Sequence, residues 1–498
     1  MRPTTRSAAA ILPVLASIIC APFADAFATA RISKSKSTPD TTAFTGGRQQ
    51  RSSFGISKRA VLSSSLHAVE ATTSQESTGS ITVVSTPPSW DELSDALAAA
   101  TADASSESPK ALVTLYRDTN GWCPFCERVW LILRAKGIPY DEQLISLQNK
   151  PEWYKALVPT SLVPAVLFHG DDDEGRNERR IVWESSDIIA ALDEEFPDMP
   201  KMLHDTREYE AAVTMNDDLT SAGFGFVYAG RNDTLTEEDK LERRTKFFSV
   251  LDSLDAALGE QQTGGGGFRL GKDFTAVDAL MIPTLERWRY QLPLTNDIDI
   301  QEGRPALAKW FKAMDSYEPY SSRVAGDEYS WTATNSMFLR YFGGGEDKPE
   351  VAAAIQRADD AAQRLAGLFV EKAGQQAEDG GKKYSKEAAA KLVSNHEAVV
   401  NDCTRDDPKS QQHIERGSNS NAADAILRYV TSLLLSDDDT VLQAKEAPLI
   451  DMEKESAKDA ATAARIVASR LCVPRDMSAP AATILRAALA TVADRLEE

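Results

Sequence analysis

Histidine and cysteine are scarce, with five of each among 498 residues. The histidines (His67, His169, His204, His396, His413) are scattered singly, and no second Cys-x-x-Cys accompanies the one at Cys123, so a zinc site is not expected. The cysteines (Cys20, Cys123, Cys126, Cys403, Cys472) are too sparse to staple a secreted fold and suit a reducing compartment. Long apolar runs are missing too. The longest, Ala8 to about Ala21, falls short of the roughly 20 residues a spanning helix needs, so the mature chain is expected to carry no membrane span. Basic residues number 55 against 75 acidic ones, and a net charge of −20 repels phosphate backbones. Nucleic acid is therefore not an expected partner.

The deficit of positive charge is uneven. Residues 1–68 hold nine Lys or Arg against only Asp25 and Asp40, so the acidic excess falls wholly on residues 69–498. Residues 1–26 have the charged, apolar and small-residue order of a signal peptide, with a cut expected after Ala26. Residues 27–68 are rich in Ser, Thr, Arg and Lys, the composition of a transit peptide. The pair, with Phe27 at the junction, resembles the bipartite leaders of algae with secondary plastids and implies delivery to the chloroplast stroma; the alternative is plain secretion.

The remaining chain changes texture three times. Residues 69–108 are Ser/Thr/Ala-rich and read as a flexible segment, with one weak helical patch at Trp90–Leu93. From 109 to 200, short β-branched runs alternate with helical patterns. Strands are expected at Ala111–Arg117, Tyr140–Ser146, Ala165–Phe168 and Arg180–Trp183. Helices are expected after Cys123, over Pro151–Val158 and over Ser185–Phe196. An acidic turn at Asp171–Gly175 separates the last two strands. The order β-α-β-α-β-β-α makes this an α/β thioredoxin-like domain. Strand signals vanish from 205 to 340, where an all-α domain is expected. Its best-marked helix starts at Thr275, with Asp278 completing a capping box. Gly264–Gly267 lacks a phosphate-loop frame and reads as a plain loop. Residues 346–498 form an additional mostly α-helical region. It includes an amphipathic Val351–Phe369 helix, a polar stretch at Gln375–Gly381, and helices near Lys386–Val400, Ala422–Leu435, Ala457–Leu471 and Ala481–Leu496.

The chemistry concentrates at Cys123-Pro124-Phe125-Cys126. A thiolate is the reactive form of cysteine, and a helix N-terminus favours it through unpaired N–H groups and the macrodipole. Such placement typically lowers a cysteine pKa from about 8.5 to about 3.5–7.5. Pro124 fits the first helical position, where a missing N–H loses nothing. Cys126, one turn deeper, is placed to resolve a mixed disulfide formed at Cys123. Trp122 and Phe125 would shape the mouth of the site.

These residues resemble the cysteine-type glutathione S-transferases of the omega and lambda classes. The matching stretches are Cys123–Trp130, Arg134–Ile138, Asn149–Tyr154, Leu162–Val166 and Trp183–Ser186. The resemblance implies a cis proline at Pro164 and backbone pairing of Val163 with glutathione. It also implies γ-glutamyl binding by Glu184 and Ser185, a salt bridge from Lys150 to the glycyl carboxylate, and a contact from Phe125. Cys126 departs from the many members that have Ala there and restores a glutaredoxin-like pair. The ending Arg470–Met477 resembles the C-terminal module of iota-class transferases of photosynthetic organisms. Within it Cys472 reads as a buried packing residue, and Cys403 as a loop cysteine.

The function these features imply is a glutathione-dependent thiol transferase or reductase with glutathione as co-substrate. Its partner would be a small electrophilic, disulfide or oxidised molecule, through deglutathionylation, dehydroascorbate reduction or quinone-adduct reduction. Tyr228 and Trp288 are candidates for lining the second-substrate pocket, and a homodimer is a family expectation. The alternative is a non-catalytic scaffold binding a hydrophobic plastid ligand or a protein partner, with the Val351–Phe369 helix as one docking face.

Overall fold

The computed structural model describes residues 86–102, 109–170, 180–229, 234–342, 348–376, 381–404, 419–436 and 439–498. The leader assignments (1–26 and 27–68) and the Asp171–Gly175 turn lie outside the described residues.

Four short strands form one sheet in the order β2-β1-β3-β4: β1 (Val113–Asp118), β2 (Tyr140–Ile145), β3 (Ala165–Phe168) and β4 (Arg180–Trp183). β1 pairs parallel with β2 and antiparallel with β3, and β3 pairs antiparallel with β4. The parallel pair needs a crossover, which α2 (Pro124–Lys136) supplies. α3 (Glu152–Leu157) joins β2 to β3, and α4 (Ser185–Glu195) closes the unit. This is the expected thioredoxin-like order. Gly137 ends α2 in the left-handed conformation (φ 70°), and its N–H bonds back to the carbonyl of Arg134.

A helical domain follows: α5 (Arg207–Ala229), α6 (Glu237–Gln262), α7 (Ala276–Asn296), α8 (Pro305–Asp315) and α9 (Glu318–Ser321). Its core is continuous with that of the thioredoxin-like domain, running from Val113 and Ile132 to Leu285 and Val324. At the start of α7, one carboxylate oxygen of Asp278 accepts from the Thr275 N–H (3.0 Å) and hydroxyl (3.1 Å). The other takes the Arg269 N–H (2.8 Å) and the Trp310 indole N–H (2.9 Å). The capping carboxylate predicted from sequence is thus also a fully buried anchor for the loop before it.

The third region comprises α10 (Glu328–Phe342), α11 (Pro349–Ala366), α12 (Phe369–Gln376), α13 (Gly381–Thr404), α14 (Ser420–Leu435), α15 (Thr440–Glu446), α16 (Lys454–Arg470) and α17 (Ala479–Glu497). It has its own core, rich in alanine, which lets α16 and α17 approach closely. The amphipathic stretch expected over Val351–Phe369 is two helices, because the chain turns at Gly367–Leu368 and Phe369 opens α12. Of its apolar face, Val351, Ala354 and Ile355 pack with Leu339 of α10.

Residues 69–108, read as flexible, are corrected in part. α1 (Trp90–Ala102) docks on the third region. The Trp90 indole donates to Asp424 (2.8 Å) and its ring stacks on His396 at 4.3 Å, while Arg428 donates to the carbonyls of Pro87 and Pro88. The helical patch expected at Trp90–Leu93 is the start of this helix, and it is the docking on the third region that local patterning cannot report.

Candidate active site

β1 delivers the chain into a turn whose Gly121 adopts φ 69°, a conformation costly for residues with a Cβ. Cys123 follows as the extended N-cap of α2 (φ −72°, ψ 114°), with Pro124 in the first helical turn. Its sulfur lies 4.0 Å from the carbonyl oxygen of Val163, and its residue is only 2% exposed. Cys126, one turn on, is 1% exposed, and both are thiols.

The Val163–Pro164 peptide is cis. The Tyr154 hydroxyl donates to the carbonyl of Leu162 at 2.7 Å, and the Tyr154 ring packs on Tyr116 of β1 at 5.7 Å. α3 therefore braces the loop that faces Cys123. Across the sheet, Ala165 is paired with Trp183, so the antiparallel register puts Glu184 opposite Pro164. Glu184 is exposed, sits at φ 69° and heads α4 without a side-chain cap; Ser185 beside it is buried. Phe125 is half-buried with the Arg128 guanidinium 5.0 Å from its ring centre. Lys150 is half-buried just before α3 and makes no ion pair among the described residues. Cys123, Cys126 and Val163 thus share one cluster with Phe125 against it, and register brings Glu184 and Ser185 beside Pro164.

Sequence reasoning passed over the charges beneath this cluster. Asp118, fully buried at the end of β1, accepts the Trp122 N–H at 2.8 Å. Burial, and then the neighbouring Cys123, push its carboxyl up to about 6. Burial chiefly, with Cys123 and Asp118 adding to it, also drives the Cys126 thiol well above its ordinary value. Two thiols and a carboxylate would be three of the four donors of a tetrahedral metal, but the described residues bring no fourth His, Cys, Asp or Glu into the group.

On the other side of α2, Glu127 is buried and pairs with Arg287 of α7 at 2.8 Å. Burial pushes the Glu127 carboxyl up, and Arg287 pulls it back down. The neighbouring Glu286 accepts from the Tyr320 hydroxyl (2.5 Å), the Gly326 N–H (2.8 Å) and the Trp331 indole (3.0 Å). Only the alternation of acid and base around apolar positions in both helices hinted at this network.

The third region also reaches the site. Its Val473–Pro474 peptide, likewise cis, lies over the active-site turn: a Cβ on Gly121 would come within 3.1 Å of the Pro474 ring. Arg323 donates to the Pro474 carbonyl at 2.7 Å. Cys472 is buried in a cluster with Trp122 and Trp331, as the packing role read from sequence requires. Two other readings are corrected. Cys403 is buried near the end of α13, not in a loop, with its sulfur 3.9 Å from the Ala463 carbonyl. Trp288 lies in the helical core instead of lining a pocket; it fills the space above Gly223, where an added Cβ would stand 1.9 Å from its ring, and meets Phe247 edge-on at 5.1 Å. Tyr228 is half-buried and stacks on Phe224 at 6.0 Å.

Family models for the glutathione S-transferase N-terminal and C-terminal domains match residues 122–195 and 231–313. Glutathione S-transferase L3 of Arabidopsis thaliana is 31% identical over 44% of this chain and 86% of its own length. Protein IN2-1 homolog A of Oryza sativa subsp. japonica is 30% identical over 40% of this chain and 76% of its own. Glutathione S-transferase L2, chloroplastic, of Arabidopsis thaliana is 32% identical over 40% of this chain, which spans 62% of that relative. A solved omega-class structure, glutathione transferase Omega 1C from Trametes versicolor, is 22% identical over 46% of this chain and 98% of its own, at a TM-score of 0.36. The chain belongs to the glutathione S-transferase family, with a cysteine at the head of the first helix of its thioredoxin-like domain.

Proposed function

We propose that the chain is a glutathione-dependent thiol transferase or reductase working through a Cys123–glutathione mixed disulfide. The observation that carries this reading is the Cys123 sulfur at a helix N-terminus, 4.0 Å from the carbonyl before cis-Pro164. Bound glutathione would run beside Val163, pairing with its backbone like an added strand. Its γ-glutamyl end would meet Glu184, through its ammonium, and the N-terminus of α4 at Ser185, through its carboxylate. Lys150 would take the glycyl carboxylate, and Phe125 would contact the peptide from the turn.

In the reaction, the Cys123 thiolate attacks the glutathione sulfur of a mixed disulfide. The substrate thiol departs with a proton, and a Cys123–glutathione disulfide forms. The thiolate of a second glutathione then attacks the bound glutathione sulfur, releasing oxidised glutathione and restoring Cys123. Dehydroascorbate and quinone adducts fit the same chemistry as oxidised substrates. Delivery to a plastid rests on the two-part leader, and the L2 relative is named as chloroplastic.

Glutathione-dependent turnover of a small mixed disulfide by the mature protein tests the proposal. Cys123→Ser should abolish activity and Cys126→Ser should reduce it. Full activity in Cys123→Ser would overturn the reading. An unmodified protein that binds glutathione without turning over would favour the scaffold alternative.

A further inference from the structure

Arg128, in the second turn of α2, is a cation without a counter-charge. Its residue is 8% exposed, and it makes no hydrogen bond and no ion pair among the described residues. Its Nε is sealed from solvent with no acceptor. A buried charge left unpaired is costly, so the position calls for a reason. Burial pulls the guanidinium down to about 10, which leaves it charged at neutral pH.

The acids around it do not neutralise it. Glu127, its neighbour in sequence, is turned to Arg287 at 2.8 Å. Asp217 on α5 is near enough for its charge to be felt, but it is exposed to water and forms no ion pair with Arg128. The other cations near the site already have work. Arg117 donates to Glu142 at 2.7 Å, Arg287 holds Glu127, and Lys150 is assigned above to the glycyl end of glutathione. Arg128 is the guanidinium left over.

Its position is at the edge of the cysteine cluster. The guanidinium carbon stands 5.0 Å from the centre of the Phe125 ring, and Phe125 packs against Cys123, Cys126 and Val163. Arg128 also feels charge placed on Cys123. Across from it, Asp217 heads a stripe on α5 in which Thr220, Phe224 and Tyr228 recur at intervals of three and four, all half-buried. The Thr220 hydroxyl is likewise buried without a partner.

We propose that Arg128 determines specificity by receiving an oxyanion, a carboxylate or sulfonate, carried by the second substrate a few bonds from the sulfur that Cys123 releases. This rests on the reading of Cys123 as the site of the mixed disulfide. The planar guanidinium suits a two-oxygen group, and its burial strengthens the contact relative to a surface arginine. The preferred partner is therefore a small acidic thiol in its glutathionylated form. Binding it supplies the charge that Arg128 lacks in the free protein.

The experiment uses the full mature chain and two glutathione mixed disulfides of equal length, one with 2-mercaptoethanesulfonate and one with 2-mercaptoethanol. The unchanged protein should favour the sulfonate by about tenfold or more in kcat/KM, expressed in KM. Arg128→Met should bring that ratio close to one, with the loss falling on the KM of the sulfonate probe. Arg128→Lys, which keeps the charge but not the fork, should retain part of the preference. Removing an unpaired buried cation does not threaten the fold, and equal denaturant midpoints for the three proteins would verify that. Equal kcat/KM for the two probes in the unchanged protein would overturn the proposal while leaving the Cys123-centred function intact. So would a parallel fall for both probes in Arg128→Met, the mark of a structural role or of a contact to the glutathionyl part. Turnover of neither probe by the unchanged protein would remove the Cys123 function, and this proposal with it.

Discussion

Arg287 on α7 donates to the backbone carbonyl of Trp122 at 2.8 Å while pairing with Glu127 on α2. One guanidinium thereby ties the helical domain both to the residue preceding Cys123 and to the first turn of the helix that Cys123 caps. Glu127 is buried and Arg287 mostly so, and removing Arg287 strands the buried carboxyl. Arg287→Met should destabilise the protein by about 3–5 kcal/mol, and Arg287→Met combined with Glu127→Gln by less. Urea unfolding of the single and double variants measures the difference.

The turn itself is the second target. Gly121 combines a left-handed backbone with a 3.1 Å approach of its missing Cβ to Pro474. Gly121→Ala should lose about 1–2 kcal/mol from the backbone conformation alone. It should also loosen the 470–477 segment, visible as faster amide exchange there than in α17.

Asp118 makes stability fall with pH. Its carboxyl rises from an ordinary 3.8 to about 6 on folding. Below about 4 it is protonated in both folded and unfolded chains and adds no pH dependence. As pH climbs through about 6 the folded protein must hold a buried charge that the unfolded chain keeps in water. Asp118→Asn should therefore be more stable than the unchanged protein at pH 7, by up to about 3 kcal/mol at roughly 1.4 kcal/mol per pKa unit. The difference should shrink toward zero at pH 4. Denaturant midpoints at the two pH values check this, and equal midpoints at pH 7 would contradict it.

Trp90 carries the docking of α1. Trp90→Ala removes the bond to Asp424 and the stack on His396, worth together about 2 kcal/mol. Limited proteolysis should then trim the chain as far as about residue 102, with glutathione-dependent turnover unchanged.

What could be read in advance followed from local rules. Ala165–Phe168 is a short continuous apolar run and Arg180–Trp183 carries the β-branched pair Ile181 and Val182, and both strands have the expected bounds. The Cys123 N-cap, the Gly137 stop and the Thr275–Asp278 box are local chemistry, and all three are present. What stayed hidden depends on tertiary packing. Asp118 opens the polar run Asp118–Gly121, and its burial follows from how β1 and α2 close over it, which composition does not report even though its neighbours Cys123 and Cys126 are close in sequence. Trp288 looked free to line a pocket until Gly223 supplied the hollow it fills. Cys472 could be read as buried, but not as a neighbour of Trp122.

The contact between Gly121 and Pro474 also has a temporal side. The two are separated by roughly 350 residues, so in any N-terminus-first threading the reactive cysteine emerges long before its wall. A nascent chain therefore presents Cys123 with its turn uncovered, and the thiol reaches its final surroundings only after the segment between the last two helices has arrived. Tags, fusions or nicks near the C-terminus thus act on the oldest part of the molecule as well as on the youngest.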